Sequence, residues 1–323
     1  MNILVTGALG FIGSNFVNYM AAKYPDHMYI VLDKLSYCSS LENITPSSGN
    51  VRIVVGNISD ENLVLDILFR YGIDTVVHFA AETHVDDSFL NSVNFTVNNV
   101  LGTHKLLETC WLWQQKVPGA ISRFIHVSTD EVYGEVTNDV ARREDAKFRP
   151  TNPYAATKCG AEFIVQSYYH SYNFPVIITR SNNVFGPRQY PEKIVPLFIN
   201  KLLKNEKLTI HGRGDQLRSF IYIDDIVTAF ETILFRGVIG ETYNIGTDHE
   251  YSVMDVAEII LKEFYYGAGI DLNDYIEYVK DRNFQDKRYL ISSEKLQSLG
   301  WKESDASFQE NIRKTIKFYS TEK

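Results

Sequence analysis

The sequence predicts an α/β fold: a doubly wound parallel sheet joined to a smaller mixed α/β lobe. Three observations carry this. Short apolar runs alternate with longer amphipathic segments, a glycine-rich turn links the first run to the first such segment, and the alternation loosens after about residue 180. Strands are expected at Asn2–Thr6, Met28–Asp33 and Val51–Val55, then at residues 75–79, 124–128 and 176–179. These runs are rich in Val and Ile and nearly continuous in hydrophobicity, as strands buried on both faces must be. Helical periodicity marks Phe11–Lys23 and Glu61–Tyr71, then residues 100–113, 154–172 and 225–235. Pro187, Pro191 and Pro196, with Gly212 and Gly214, punctuate the looser region, where a second lobe is expected.

The turn Thr6-Gly7-Ala8-Leu9-Gly10-Phe11-Ile12-Gly13 joins the first strand to the first helix. Its Gly-x-x-Gly-x-x-Gly spacing allows a tight bend and close backbone approach to a pyrophosphate, which the helix N-terminus would attract. Gly13 lies 20 residues before Asp33, at the end of the second strand, where an acid would bind a ribose 2′-hydroxyl. The sheet is therefore expected to be Rossmann-type, with NAD as cofactor. Asp33 would repel the 2′-phosphate of NADP; the adjacent Lys34 could receive it, and NAD is favoured on balance. Phe79-Ala80-Ala81, after the fourth strand, offers small residues along which a cofactor could run. The expected division is a dinucleotide-binding domain of residues 1–180 plus about 219–246, with a second lobe of 181–218 and 247–323.

Composition narrows the partners. The formal net charge of -8 argues against nucleic acid. No apolar stretch approaches the roughly 18 residues of a membrane span. Cys38, Cys110 and Cys159 are few and scattered, so a reducing, cytoplasmic setting is expected, and the N-terminus opens directly on a strand without a leader-like segment. The eight histidines show no metal-ligand spacing; His84 beside Asp86 and Asp87 is the one local cluster, and no metal is expected. The sequons at Asn43, Asn57 and Asn94 are read as accidental.

The chemistry-bearing residues are Ser128-Thr129-Asp130-Glu131-Val132-Tyr133-Gly134 and Tyr154-Ala155-Ala156-Thr157-Lys158. Tyr154 and Lys158 are four apart and share a helix face. An unperturbed tyrosine, with a pKa near ~10, is a poor base at neutral pH, and a nearby ammonium would make the phenolate accessible. Such a pair suits oxidation at a sugar hydroxyl. Asp130 and Glu131, two neighbouring carboxyls, should differ in proton affinity, and one protonated plus one ionised carboxyl is what removal of water requires. An acidic turn of this kind is more often merely solvated; its place between a dinucleotide turn and the Tyr/Lys pair favours chemistry.

These motifs resemble the extended short-chain dehydrogenase/reductase family, specifically its nucleotide-sugar 4,6-dehydratases. The resemblance continues through Ala80-Ala81-Glu82-Thr83-His84-Val85-Asp86, Ser181-Asn182-Asn183-Val184-Phe185-Gly186-Pro187, Pro191-Glu192-Lys193, Arg218-Ser219-Phe220, Tyr243-Asn244-Ile245-Gly246 and Asp281-Arg282. It implies Thr129 at the sugar O4, Tyr154 as redox base with Lys158, Asp130 as acid for the C6 hydroxyl and Glu131 as base at C5. It implies that Phe11, Ile12, Asp33, Ser36, Asn57, Ile58, Asn98 and Asn183 surround NAD, and that Thr83, Asn182, Lys193, Ile194, Arg218, Asn244 and Arg282 surround the sugar nucleotide. The implied product is a 4-keto-6-deoxy sugar nucleotide, a step toward rhamnose or another deoxysugar, made by a homodimer paired through the helices at 100–113 and 154–172.

Asn57 stands where bacterial dTDP-glucose enzymes carry Asp, Thr83 where they carry Ser, and Asp281-Arg282-Asn283-Phe284-Gln285 lacks their Gly-His ending. Residues 83–89 with Asn98-Asn99 look closer to the dehydratase part of fused rhamnose synthases, which implies UDP-glucose rather than dTDP-glucose. A chain of this length has no room for a second catalytic domain, so later steps are expected on another polypeptide. The rivals are a UDP-glucose 4-epimerase-like enzyme, which would not need Asp130 and Glu131, and a non-catalytic NAD sensor, which would not need Tyr154 and Lys158.

Overall fold

The computed structural model describes residues 1–45, 49–266, 269, 271–280 and 286–321. Its centre is a seven-stranded parallel sheet of β1 (Asn2–Thr6), β2 (Met28–Asp33), β3 (Val51–Val55), β4 (Thr75–His78), β5 (Arg123–Thr129), β6 (Val176–Ser181) and β10 (Thr242–Ile245). Their spatial order is β10-β6-β5-β4-β1-β2-β3, so the chain winds outward from β1 in both directions and leaves a crevice at the carboxyl ends of β1 and β4. Ile3, Leu4 and Val5 of β1 and Ile30, Val31 and Leu32 of β2 are fully buried, as a sheet covered on both faces demands.

Helices α1 (Phe11–Lys23) and α8 (Ile223–Arg236) pack on one face, with Phe16, Val17, Met20, Phe230 and Ile233 in the shared core. On the other face α2 (Glu61–Tyr71), α5 (Gly102–Lys116) and α6 (Pro153–Tyr172) bury Val64, Leu68, Leu106, Leu107 and Val165. Each such side chain contributes about 1.5–3 kcal/mol of burial. Between β4 and α5 the chain forms the short helices α3 (Val85–Leu90) and α4 (Ser92–Phe95) and one wide π-helical turn, Thr96–Leu101. The periodicity at 100–113 thus opens within that π turn rather than at a fresh helix start.

Helix α6 starts sharply because Asn152 caps it, its Oδ1 accepting the N–H of Ala155 at 2.8 Å, with Pro153 in the first turn. The C-terminal part adds strands β7 (Asn183–Phe185), β8 (Leu208–His211), β9 (Leu217–Tyr222), β11 (Glu250–Ser252) and β12 (Ile276–Val279). They form a three-stranded sheet, β11-β9-β7, and a parallel pair, β12-β8. Helices α7 (Ile194–Leu203), α9 (Val253–Phe264), α10 (Leu272–Tyr275), α11 (Glu294–Ser298) and α12 (Phe308–Thr321) complete it. Strand β10 returns to the main sheet beside β6, pairing Thr242 with Ile178 through Ile245 with Ser181.

Candidate active site

One long cleft runs from the glycine turn, past the ends of β4 and β5, to α7, β8 and β9. At its first end Gly7 has φ +65°, and a Cβ built on it would sit 2.6 Å from Ala80 Cα and N. A Cβ on Gly13 would lie 2.7 Å from both Ala8 Cα and Gly7 O. The turn therefore folds backbone against backbone, which side chains would prevent. Gly7, Gly10, Phe11, Ile12, Gly13, Asp33, Lys34, Ser36, Asn57, Ile58, Phe79, Ala80, Ala81, Asn98 and Asn183 all line this part of the wall. Asp33 is buried, and its carboxylate accepts the N–H groups of Leu9 (3.0 Å) and Leu35 (2.9 Å). The Lys34 ammonium is 2.8 Å from Glu82 Oε1 and 2.8 Å from Asn98 Oδ1.

Midway, β5 delivers Thr129, Asp130 and Glu131 to the wall opposite Tyr154 and Lys158 of α6. Asn182, just after β6, donates to Asp130 Oδ2 at 2.7 Å; Asn152 donates to Glu131 Oε2 at 2.8 Å. The two carboxyls are thus steered apart by separate amides. Burial, with the Glu131 charge beside it, pushes Asp130 up to about 7 against the opposing bonds from Asn182 and Thr129. Burial also leaves Glu131 raised, only partly offset by Asn152, Arg218 and Lys193. Both carboxyls thus sit above the ordinary carboxylate range, Asp130 beside the Glu131 charge and Glu131 beside an amide and two cations.

The Tyr/Lys pair differs from expectation. Lys158 donates to the Val127 carbonyl at 2.6 Å, and burial lowers it to about 8. Tyr154 is pushed up by burial and by the Glu131 charge, opposed by a hydrogen bond with Thr129. The two residues share a helix face, yet the ammonium is turned to a backbone carbonyl and does not hold a phenolate.

At the far end Thr83, Asn182, Lys193, Ile194 and Arg218 line the cleft. Arg218 donates to the carbonyls of Leu217 (2.7 Å) and Asp286 (2.8 Å), and its guanidinium lies 4.9 Å from the Tyr289 ring centroid. Lys193 donates to the Thr83 carbonyl at 3.0 Å. Asn244 is a correction. It is fully buried and does not line the cleft, with Oδ1 accepting from Tyr133 Oη at 2.8 Å and Nδ2 donating to the Arg142 carbonyl at 3.0 Å. Arg282, and the whole run 281–285, lies outside the described residues.

Sequence reasoning missed Asn152, Glu192, Asp286 and Tyr289, all of which line the cleft. Asn152-Pro153 is a recognisable helix start, but its reach to Glu131 is a tertiary fact. Asp286 accepts from both Thr151 and Tyr289, a link from the last third of the chain to the start of α6 that no local pattern shows. His84 sits 3.9 Å from Asp86 and 3.9 Å from Glu192 at the mouth; no group of three or more potential metal ligands converges among the described residues.

A parallel sheet with a glycine turn at its switch point, and a Tyr/Lys helix facing the end of β5, define an extended short-chain dehydrogenase/reductase. The sequence model of the GDP-mannose 4,6-dehydratase family matches residues 4–315, and the chain belongs to that family. A trifunctional UDP-glucose 4,6-dehydratase/UDP-4-keto-6-deoxy-D-glucose 3,5-epimerase/UDP-4-keto-L-rhamnose-reductase of Arabidopsis thaliana is 50% identical over 323 residues, covering 99% of this chain and 47% of its own length. The chain therefore spans about half the length of that relative. The dTDP-D-glucose 4,6-dehydratase of Homo sapiens is 45% identical over 320 residues, covering 98% of this chain and 89% of its own. A crystal structure of the dTDP-glucose 4,6-dehydratase of Streptomyces venezuelae with NAD bound superposes with a TM-score of 0.90 at 36% identity, covering 99% of this chain and 97% of that one. The UDP-glucose 4-epimerase of Thermotoga maritima superposes at 0.88 with 28% identity, covering 100% and 99%.

Proposed function

We propose that the chain is a nucleotide-sugar 4,6-dehydratase acting on UDP-glucose, or on dTDP-glucose, to form the 4-keto-6-deoxy sugar nucleotide and water. The observation that carries this is the pair Asp130 and Glu131, anchored by different amides beside Tyr154. An epimerase has no use for such a pair. UDP-glucose is placed first because the 50% identical relative is named for it, against 45% for the dTDP-glucose enzyme.

The cradle at Gly7 and Gly13, where a Cβ would strike backbone, fits the pyrophosphate of NAD. Gly10, Phe11, Ile12, Asp33, Ser36, Asn57, Ile58, Asn98 and Asn183 would hold it, with Lys158 at the nicotinamide ribose. When bound, NAD would supply a hydride acceptor for C4 and, once reduced, a hydride donor for C6. Tyr154 takes the proton of the C4 hydroxyl, which Thr129 orients. Glu131 removes the C5 proton made acidic by the new ketone, and Asp130 gives its proton to the departing C6 hydroxyl. Arg218 and Lys193 balance the diphosphate charge. The division into residues 1–180 plus about 219–246 and 181–218 plus 247–323 is supported by the return of β10 beside β6 and the packing of α8 with α1.

We also propose a homodimer through α5 and α6. Leu90 is 84% and Val93 75% exposed beside these helices, and Leu101 and Phe163 add further exposed apolar surface. Sedimentation at micromolar concentration should give twice the chain mass. A cytoplasmic setting is supported by three unpaired cysteines; no helix among the described residues is long and apolar enough to cross a membrane.

The test is to incubate the protein with UDP-glucose deuterated at C4. The expected product is one water lighter, carries the label in its new methyl group, and forms without net NADH. Exclusive formation of UDP-galactose would replace the reading with epimerisation. Glu131→Gln should stop water loss while NAD titration is retained, and Tyr154→Phe should stop every step, since oxidation comes first.

A further inference from the structure

We propose that Glu82 makes the cleft selective for a dinucleotide with a free ribose 2′-hydroxyl, by caging the cation beside Asp33. The proposal rests on the NAD reading above and concerns only the choice between NAD and NADP. Lys34, next in sequence to the end of β2, is placed to receive a 2′-phosphate. In the structure its ammonium is committed elsewhere, at 2.8 Å from Glu82 Oε1 and 2.8 Å from Asn98 Oδ1.

The cage is rigid on both sides. The backbone of Glu82 is clamped by Asn99, whose Oδ1 accepts the Glu82 N–H at 2.8 Å and whose Nδ2 donates to the Glu82 carbonyl at 3.0 Å. Asn98 is turned by its own Nδ2, which donates to the Asn94 carbonyl at 2.9 Å and so leaves its oxygen facing Lys34. The Glu82 side chain is 14% exposed and that of Lys34 38%, so the carboxylate is fixed inside the wall and the ammonium reaches it from the rim. Asp33 is held by Leu9 and Leu35.

What this corner presents to a ligand is therefore two carboxylates and an amide oxygen around one neutralised ammonium. Ribose hydroxyls are donors and find acceptors there. A 2′-phosphate, carrying close to two negative charges, meets a net negative corner in which Glu82 already offsets the Lys34 charge. Asp33 alone would leave Lys34 free to take that phosphate; Glu82 closes the route.

The experiment measures dissociation constants of NAD+ and NADP+ by calorimetry on the full chain stripped of dinucleotide, for wild type, Glu82→Gln and Glu82→Ala. Wild type is expected to prefer NAD+ by about tenfold or more. Each variant should narrow that preference at least threefold. Because the discrimination is repulsive, it should also shrink in wild type as salt rises from about 10 mM to about 0.5 M, where the screening length falls to a few ångströms. A preference that moves less than threefold in variants with native melting curves overturns the proposal. So does one that widens with salt, the sign expected if Lys34 were free to attract phosphate. Wild type that binds neither dinucleotide would sink the NAD reading itself, and the proposal with it.

Discussion

The two ends of the cleft are built by different means. At the glycine end the turn itself is backbone packed on backbone: Gly7, against Ala80, and Gly13, against Ala8 and Gly7, sit where no Cβ fits. At the sugar end it is side chains meeting from distant segments, Asp130 with Asn182, Glu131 with Asn152, and Arg218 with the carbonyl of Asp286. The first end shapes a space; the second sets proton affinities. A local glycine motif marks the one, while the other has no local mark and is made by side chains brought together from far apart in the chain.

Substitutions sharpen this contrast, beginning with the most severe. Gly7→Ala places a Cβ 2.6 Å from the Ala80 backbone at a φ of +65°, and both faults must be relieved by moving β1 from β4. It should destabilise the protein by about 3 kcal/mol or more and abolish NAD+ binding, as read by urea melts and dinucleotide titration. Intact binding would show that the glycine end does not depend on backbone contact.

Asp130→Asn removes the acid while keeping the Asn182 contact side polar. Turnover should fall by about 10²–10⁴ with NAD+ affinity retained. In wild type, dehydration should decline as pH rises through about 7, because Asp130 is raised to that value and acts only while protonated. A rate that stays flat from pH 6 to 9 with chemistry limiting would remove Asp130 from the acid role. Arg218→Lys keeps the charge but loses the planar fork, and KM for the nucleotide sugar should rise about tenfold with a smaller change in kcat. Asn244→Ala should be the mildest kinetically, with KM within about twofold. Its cost should appear instead as about 1–3 kcal/mol of stability, because the buried Tyr133 O–H loses its acceptor, while the Arg142 carbonyl keeps the Ser292 N–H.

The same contrast explains what could be read from residues alone. Strands β1 and β2 and helices α1 and α2 follow from hydrophobic pattern because each is buried against near neighbours, whereas β3, equally apolar, is the sheet edge and leaves Ile53 and Val55 exposed. Strand β10 has four residues, Thr242–Ile245, and enters the sheet only because β6 offers it an edge. The glycine turn, Asp33, the acid pair and Tyr154 with Lys158 are contiguous patterns and were legible. Asn244 misled because a family pattern marks a position, while its actual bonds to Tyr133 and Arg142 are set by packing. Asp286 and Tyr289 carry no signature of their own; their importance lies in what Thr151 and Arg218 do 135 and 68 residues away. Helical spacing likewise puts Lys158 on the face of Tyr154 but cannot foresee the Val127 carbonyl to which its ammonium donates.

Asn99, in the π-helical turn, bonds the backbone of Glu82 on one side and the hydroxyl of Thr157 on the other, at 3.0 Å. Thr157 lies between Tyr154 and Lys158, so one side chain ties the segment that carries Glu82 to the helix that carries the Tyr/Lys pair, and a displacement of either is felt by the other.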